Sequence, residues 1–425
     1  MLDIKLLREE PEKVKKGIAA KQADPKLVDE FLRLDNEWRK LTQYLDEKRA
    51  EQKKLGANRE IEAAKSSKEE IKIAEEKISK IEKDREAIWL TIPNLPSEDT
   101  PVGKSEADNK VLRTNGELPK FDFKPKGHLE IGEASGFIDV ASAAEVSGSR
   151  FAYLKGDVAM LEFALIHYAF EFLTNSKLLE SITGGLKPNY SSKAFIPIVP
   201  PVLIRGDVFQ KMARLEPKEE RYRLEQDDLY LVGSAEHTLG PLHMNEVIPE
   251  EKLPIRYVGF STCFRREAGS YGKDTRGILR VHQFDKVEME SFTTSEDSRT
   301  EQDFFVAIQE NLMWALELPY RVVNICTADM GGPDYRQIDI ETWLPSEGKY
   351  RETHSADLNT DYQSRRLGTR VKRKDGKIEF AHMNDATVFA IGRMIIAILE
   401  NYQMKDGRVA VPKVLQKYVN KKIIG

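Results

Sequence analysis

The chain has 425 residues, 40% hydrophobic and 32% charged, with a formal net charge of −4; that is room for two or three domains and a large core, but not the charge of a protein that is basic throughout to bind nucleic acid. Two cysteines, Cys263 and Cys326, and seven scattered histidines exclude a disulfide framework and speak against a structural zinc site. The first residues are charged throughout and no run of about 18 apolar residues occurs, so neither a membrane span nor a signal peptide is expected, and the chain reads as cytoplasmic.

Residues Pro11 to Ala20 read as a short helix, followed by a turn at Asp24-Pro25. Next, Leu27, Phe31, Leu34, Trp38, Leu41 and Leu45 fall at alternating spacings of four and three, and Lys48, Gln52 and Leu55 keep the register. After a polar break over Gly56 to Ser67, the pattern resumes with Ile71, Ala74, Ile78, Ile81, Arg85, Ile88 and Ile92. This two-part heptad repeat predicts an antiparallel helical hairpin over about residues 26–92, with arms of roughly 40–50 Å at about 1.5 Å per residue. Pro93 and Pro96 end it. At its far end the cations Lys48, Arg49, Lys53, Lys54, Arg59, Lys65 and Lys68 outnumber the acids Glu51, Glu60 and Glu62. A cationic tip on a rigid arm suits a phosphate backbone; lysines that only solubilise a coiled coil are the simpler reading.

Residues 93–125 are rich in Pro, Gly and Asp and read as a linker, with a domain division at 108/109. Asp157 to Leu173 has helical apolar spacing beside an Asp cap. Phe195 to Val199 is an apolar strand stopped by Pro200 and Pro201. Tyr230 to Val232 is a strand running into Gly233, Ser234, Ala235 and Glu236. There Ser234 can cap a following helix, with Glu236 in its first turn.

Between Tyr257 and Glu290, two strands flank a loop rich in Gly, Ser, Lys and Asp, which is a hairpin pattern. The strands carry charge where a packed hairpin carries Val or Thr: Arg265, Glu267, Arg280, Asp285, Lys286, Glu288 and Glu290. Alternation places Arg265 and Glu267 on one face, with Arg280, His282, Phe284, Asp285 and Glu288 near it. Guanidinium for phosphate, carboxylate for amines and a ring for a base suit a nucleotide. A solvated edge hairpin laced with salt bridges fits the composition equally well. Two apolar strands then flank a Gly-rich connection over Arg321 to Pro345, and a strand, a turn and an amphipathic helix follow over Phe380 to Tyr402.

The stretch FRREAGSYGKDTRGILRVHQFDKVE resembles motif 2 of the class II aminoacyl-tRNA synthetases, in the form carried by the seryl-tRNA synthetases. The resemblance extends over the chain. FIPIVPP is similar to motif 1, and FAHMNDATVFAIGRMIIAILENYQMKDGRVAVP to motif 3. PNLP, PVGKSEADN, SGSRFAYLKGDVAMLEFAL and IDIETWLP are similar to segments between them and before them. Three places depart from the family pattern. Ser234 stands for the usual Thr, Ala356-Asp357-Leu358 for Cys-Ser-Asn, and Asp385 for Asn.

The resemblance implies an α+β fold. An N-terminal tRNA-binding domain over residues 1–108, with an antiparallel coiled-coil arm, precedes a class II catalytic domain over 109–425, built on an antiparallel sheet flanked by helices. It implies a homodimer, with the strand ending at Pro201 in the interface. It implies that ATP and L-serine form seryl-adenylate, and that serine passes to the 3′ end of a serine tRNA with a long variable arm, selenocysteine tRNA being a further acceptor.

The residue roles follow the same resemblance. Arg265, Arg280 and Arg393 are the catalytic cations. ATP positions are Arg265, Arg266, Glu267, Arg280, Val281, Phe284, Glu352, Thr353, His354, Ser355 and Arg393. Arg265 bridges the serine carboxylate and the α-phosphate. Glu267 takes the adenine amino group, Phe284 and Arg393 sandwich the ring, and Arg280 neutralises the outer phosphates. Glu352 and Ser355 hold Mg²⁺, and no zinc is implied. The serine seat comprises Ser234, Ala235, Glu236, Arg265, Glu288 and Thr387, with Glu288 and Thr387 on the hydroxyl and Ser234 and Glu236 around the α-amine. Lys48, Arg49, Lys53, Lys54 and Arg59 meet tRNA.

Two rivals stand beside this reading. One is an enzyme of the same fold for threonine, proline or a carrier-protein acceptor, which the long arm ahead of motif 1 opposes. The other is a coiled-coil nucleic-acid-binding protein with an inert body. Asp385 and the altered segment after Ser355 favour it; Arg265, Glu267, Arg280, Glu288, Glu352 and Arg393 oppose it.

Overall fold

The computed structural model describes residues 1–58, 61–188, 190–268 and 276–425. The chain divides into two compact units, Met1–Pro96 and Ser97–Gly425.

The first unit is helical. Helices α1 (Ile4–Glu9) and α2 (Pro11–Ala20) lead into two long helices, α3 (Lys26–Ala57) and α4 (Ile61–Thr91). The six residues of α1 are too few to show a period, but Asp3 caps it by accepting from the Lys5 amide at 2.8 Å. The 32 residues of α3 extend roughly 48 Å at about 1.5 Å each. Its heptad face meets α4 through buried Leu45, Ile71 and Ala74. The expected polar break is much shorter than Gly56 to Ser67, because Ala63, Ala64, Lys65 and Lys68 are good helix formers whose polarity does not interrupt a helix. At the base, buried Asp35 joins Arg8 (2.8 Å) to Arg85 (2.9 Å), and Arg85 lies 4.3 Å from the Trp38 ring.

Residues 97–108 belong to the second unit, so the division falls at 96/97 rather than 108/109. Ser97 N donates to Tyr335 O at 2.7 Å, and Thr327 N to Pro101 O at 2.9 Å. The expected linker even supplies a strand, β1 (Lys110–Asn115). Seven more strands complete the main sheet among the described residues. They are β2 (Ile196–Ile198), β3 (Ile255–Phe264), β4 (Gln283–Thr293), β5 (Tyr320–Asn324), β6 (Arg336–Leu344), β7 (Lys349–Thr360) and β8 (His382–Ala390). Their order is β1-β5-β6-β7-β8-β4-β3-β2, antiparallel except where β2 runs parallel to β3 at the edge. The charged hairpin is β3–β4, but β3 ends at Phe264 and β4 begins only at Gln283.

Helices α5 (Gly156–Leu173), α8 (Ser298–Ala315) and α9 (Ile391–Asn401) pack on one face of this sheet, after the shorter α6 (Gly206–Lys211) and α7 (Glu236–Leu239) are passed. Beneath them Val287, Met289, Ala356, Ala386 and Val388 are buried. Period-2 alternation turns their neighbours Lys286, Glu288, Ser355, Asp357, Asp385 and Thr387 to the other face.

Candidate active site

That other face lines a cavity of about 610 Å³. β4 contributes Phe284, Lys286 and Glu288, β8 contributes Asp385 and Thr387, and β7 contributes Glu352, Ser355 and Asp357. Glu352 and Ser355 are three apart, so simple alternation would separate them. A register shift opposite Ile340 and Glu341 inserts one extra residue on β7 and brings both to the cavity. α9 adds Arg393, α7 adds Glu236, and the segments beside the strands add Arg214, Arg221, Arg265, Glu267 and Arg280.

At the inner end, Thr387 Oγ1 donates to Glu288 Oε1 at 3.3 Å across the β4–β8 pair. Lys286 Nζ pairs with the same oxygen. Burial raises the Glu288 carboxyl above its ordinary range, and Lys286 opposes that rise.

Next to this trio stands Arg214. Its Nε lies 2.7 Å from Glu236 Oε1, and its Nη2 lies 3.2 Å from Asp334, 3.6 Å from Asp385 and 3.7 Å from Asp357. Burial alone would raise the Glu236 carboxyl. Arg214 overrides it and holds Glu236 below the ordinary range. Asp357 and Asp385 go the other way, raised by burial and by the carboxylates around them. Asp385 also accepts from Asn359 Nδ2 at 2.5 Å. The acid at the Asn position therefore sits against a guanidinium.

Toward the mouth, Arg280 Nη1 donates to Glu267 Oε2 at 2.7 Å. Arg265 Nε donates to Gly233 O at 3.1 Å, and its guanidinium lies 5.4 Å from the Phe284 ring. Arg393 Nη1 donates to Glu352 O at 2.8 Å and lies 3.3 Å from Glu352 Oε2. Desolvation works against charge on Glu352, but Arg393 overrides it and holds that carboxyl low. Arg221 shares this space with Arg265; burial, then the Arg265 charge, push its guanidinium down to about 10. Two cations facing one space make a seat for an anion.

Of the residues expected at the site, Glu236, Arg265, Glu267, Arg280, Val281, Phe284, Glu288, Glu352, Thr353, Ser355, Thr387 and Arg393 line the cavity. Ser234, Ala235, Arg266 and His354 do not. Ser234 Oγ accepts from Glu236 N at 3.4 Å, a local turn contact; the N-cap of α7 is Ala235, so Ser234 does not cap that helix either. Arg266 lies over the Tyr222 ring at 5.8 Å. His354 is buried on the helix-covered face, with Nδ1 2.8 Å from Thr353 Oγ1 and its ring 5.9 Å from Phe389. Asp285 is also turned from the site: it follows Phe284 by one residue, so alternation sends it toward Glu162 on α5. Arg214, Arg221 and Lys286 line the cavity without having been expected there. Lys286 was readable from its i, i+2 spacing with Phe284 and Glu288; nothing local marked the two arginines.

On the arm, Lys48 pairs with Glu51 (3.0 Å) and Glu70 (2.9 Å), and Arg49 with Glu75 (2.8 Å). Lys53 and Lys54 are exposed. Arg59 lies outside the described residues. Among the described residues, no group of three or more His, Cys, Asp or Glu is arranged to hold a metal ion, and no helix is long and apolar enough to cross a membrane.

Residues 1–96 match the family model described as the seryl-tRNA synthetase N-terminal domain, and residues 220–402 match the tRNA synthetase class II core domain (G, H, P, S and T). The serine–tRNA ligase of Acidothermus cellulolyticus is 41% identical over 100% of this chain and 99% of its own. That of Pseudothermotoga lettingae is 38% identical over 100% of both. Among solved structures, the seryl-tRNA synthetase of Pyrococcus horikoshii complexed with ATP superposes with a TM-score of 0.92 at 37% identity, covering 100% of this chain and 99% of that one. The cytoplasmic serine–tRNA ligase of Naegleria fowleri in complex with AMP gives 0.88 at 33%, covering 100% and 98%.

Proposed function

This chain belongs to the seryl-tRNA synthetases, and from that membership we propose how its own residues divide the work of a serine–tRNA ligase. The enzyme activates L-serine with ATP and transfers it to tRNA. In the first step a serine carboxylate oxygen bonds to the α-phosphorus as the bond to pyrophosphate breaks. In the second, the terminal ribose hydroxyl of tRNA bonds to the seryl carbonyl and AMP leaves. The attacking carboxylate is already ionised at neutral pH, so the first step needs no general base and rests on positioning and charge stabilisation.

Arg265 and Arg221 take the α-phosphate and the serine carboxylate. Phe284 and Arg393 hold the adenine ring between them, and Glu267 accepts from its amino group. Arg280, released from Glu267, meets the outer phosphates. Glu236 receives the α-ammonium, while Glu288 and Thr387 take the side-chain hydroxyl. Glu352 and Ser355 fit a Mg²⁺ site, because that ion uses one or two protein oxygens and takes the rest from phosphates and water. When bound, the ion would neutralise phosphate charge.

Exposed Lys53 and Lys54 at the arm tip suit the long variable arm of a serine tRNA. The exposed apolar edge at Ile196, Val199 and Val202 suits a homodimer contact. The place of work is the cytoplasm.

The observation that carries the reading is convergence: Glu236, Arg265, Glu288, Glu352, Thr387 and Arg393, scattered over the sequence, line one cavity. ATP–pyrophosphate exchange with a panel of amino acids tests it. Serine should support exchange, and alanine, threonine and proline should support little. Faster exchange with any of those three would overturn the assignment of the pocket.

A further inference from the structure

We propose that Arg214 is a positioning residue for serine: it holds the Glu236 carboxylate in place for the α-ammonium and balances the buried acids behind it. The proposal rests on the reading above that Glu236 receives the ammonium.

The geometry is specific. Arg214 places Nε 2.7 Å from Glu236 Oε1, an ion pair rather than an aligned hydrogen bond, and its Nη2 donates to Asp334 at 3.2 Å while lying 3.7 Å from Asp357 and 3.6 Å from Asp385. A guanidinium presents donors in a fixed fork, so one group can serve several carboxylates at once; a lysine ammonium cannot reproduce that spread. Asp357 and Asp385 are direct cross-strand partners on β7 and β8, and Glu290 on β4 is the partner of Asp385 on its other side. Three acids therefore form one row across three strands. Both oxygens of Glu290 are buried without a hydrogen-bond partner among the described residues, and burial and the neighbouring acids raise it well above the ordinary range. Arg214 is the cation that sits against this row on the Glu236 side.

Like charges this close repel, and Glu236 lies against Asp385. Without the guanidinium 2.7 Å from Oε1, the Glu236 carboxylate would turn away from Asp385, and the ammonium would meet a displaced anion. Arg214 meets a phosphate position only through its backbone carbonyl, which accepts from Arg221 Nε at 3.0 Å and is kept when the side chain is replaced, so the effect of its side chain falls on the amino acid. Asp357 and Asp385 are two of the positions at which this sequence departs from the family pattern. The structure joins both departures to one arginine.

The test is serine-dependent pyrophosphate exchange with the full-length protein, reading KM for serine and KM for ATP separately. Arg214→Gln should raise the serine KM about tenfold or more and leave the ATP KM within about twofold. Arg214→Lys should lie between it and wild type. Arg214→Gln with Asp385→Asn, which removes the acid beside Glu236, should recover part of the serine KM. Equal increases in both KM values, or no recovery in the double variant, would overturn the proposal. If Arg214→Gln does not fold, Arg214→Lys decides by the same split. Glu236→Gln separates the two layers. An unchanged serine KM there would remove the underlying reading, whereas a raised one beside an unaffected Arg214→Gln would remove only the role of Arg214.

Discussion

Thr387 and Glu288 face one another across two neighbouring strands, with the Thr387 hydroxyl donating to Glu288 Oε1 at 3.3 Å. Lys286 pairs with that same oxygen, and the Glu288 side chain lines the cavity. A pocket built to bond a hydroxyl rejects an analogue that lacks one, because its buried polar groups are left unpaired. Glu288→Gln should therefore raise the serine KM about tenfold or more with little change in the ATP KM. Parallel losses for both ligands in steady-state exchange would remove Glu288 from the serine seat.

Arg265 is held by the Gly233 carbonyl at 3.1 Å and lies 5.4 Å from the Phe284 ring. A donor preset where charge develops contributes most in the transition state. Arg265→Ala should lower pyrophosphate exchange by ~10²–10³. A variant within about threefold of wild type would place the bridging charge elsewhere, with Arg221 the next candidate.

Glu162 and Asp285 share a hydrogen bond on the helix-covered side of the sheet, and burial first, then Asp285, push the Glu162 carboxyl up to about 8 from its ordinary 4.5. The folded state therefore holds a proton that the unfolded chain gives up, so stability is fully present below the unfolded value and is lost as pH rises toward 8. Each pH unit in that window removes up to about 1.4 kcal/mol. Chemical denaturation at pH 5, 6.5 and 8 should show this fall in wild type and a flatter profile in Glu162→Gln. Identical slopes for the two proteins would contradict it.

Arg256 and Glu301 form a two-bond pair at 2.7 Å with both side chains fully buried, and Arg256 also donates to the Ser191 and Lys193 carbonyls at 2.9 Å. Removing one partner strands the other charge. Glu301→Leu should cost ~3–5 kcal/mol, and adding Arg256→Met should return part of that loss. A double-mutant cycle by urea denaturation measures the coupling. Strict additivity of the two losses would show that the pair does not act as a unit.

The arm was legible in the sequence because a heptad repeat is local: Leu45, Ile71 and Ala74 declare their face by spacing alone. The charged hairpin was legible for the same reason, and the family resemblance named many of the residues that line the cavity, though not Arg214, Arg221 or Lys286. What stayed hidden depended on three-dimensional placement. β1 lies in a Pro- and Gly-rich stretch and becomes a strand only because β5 is beside it. Asp285 carried the same charge signal as Glu288, and only the start of β4 at Gln283 fixed which face each would take. Arg214 sits in the connection after α6 with no motif of its own, and its partners come from Glu236, Asp334, β7 and β8. Asp385 and the altered segment after Ser355 consequently looked like unconnected departures in the sequence.

The central claim is a division of labour: the second unit makes the adenylate and the helical arm captures tRNA. Every residue assigned to adenylate formation lies in Ser97–Gly425, and the exposed cations Lys53 and Lys54 lie in Met1–Pro96. The direct measurement removes Gln43 to Ile78, joins the shortened helices with a turn, and compares serine-dependent pyrophosphate exchange with tRNA charging in one preparation. Exchange should stay largely intact while charging falls steeply through weaker tRNA binding. In the full-length chain, reversing charge at Lys53 and Lys54 should act the same way more mildly and flatten the salt dependence of tRNA binding. Equal loss of exchange and charging in the truncated protein, or equal retention of both, would contradict the account.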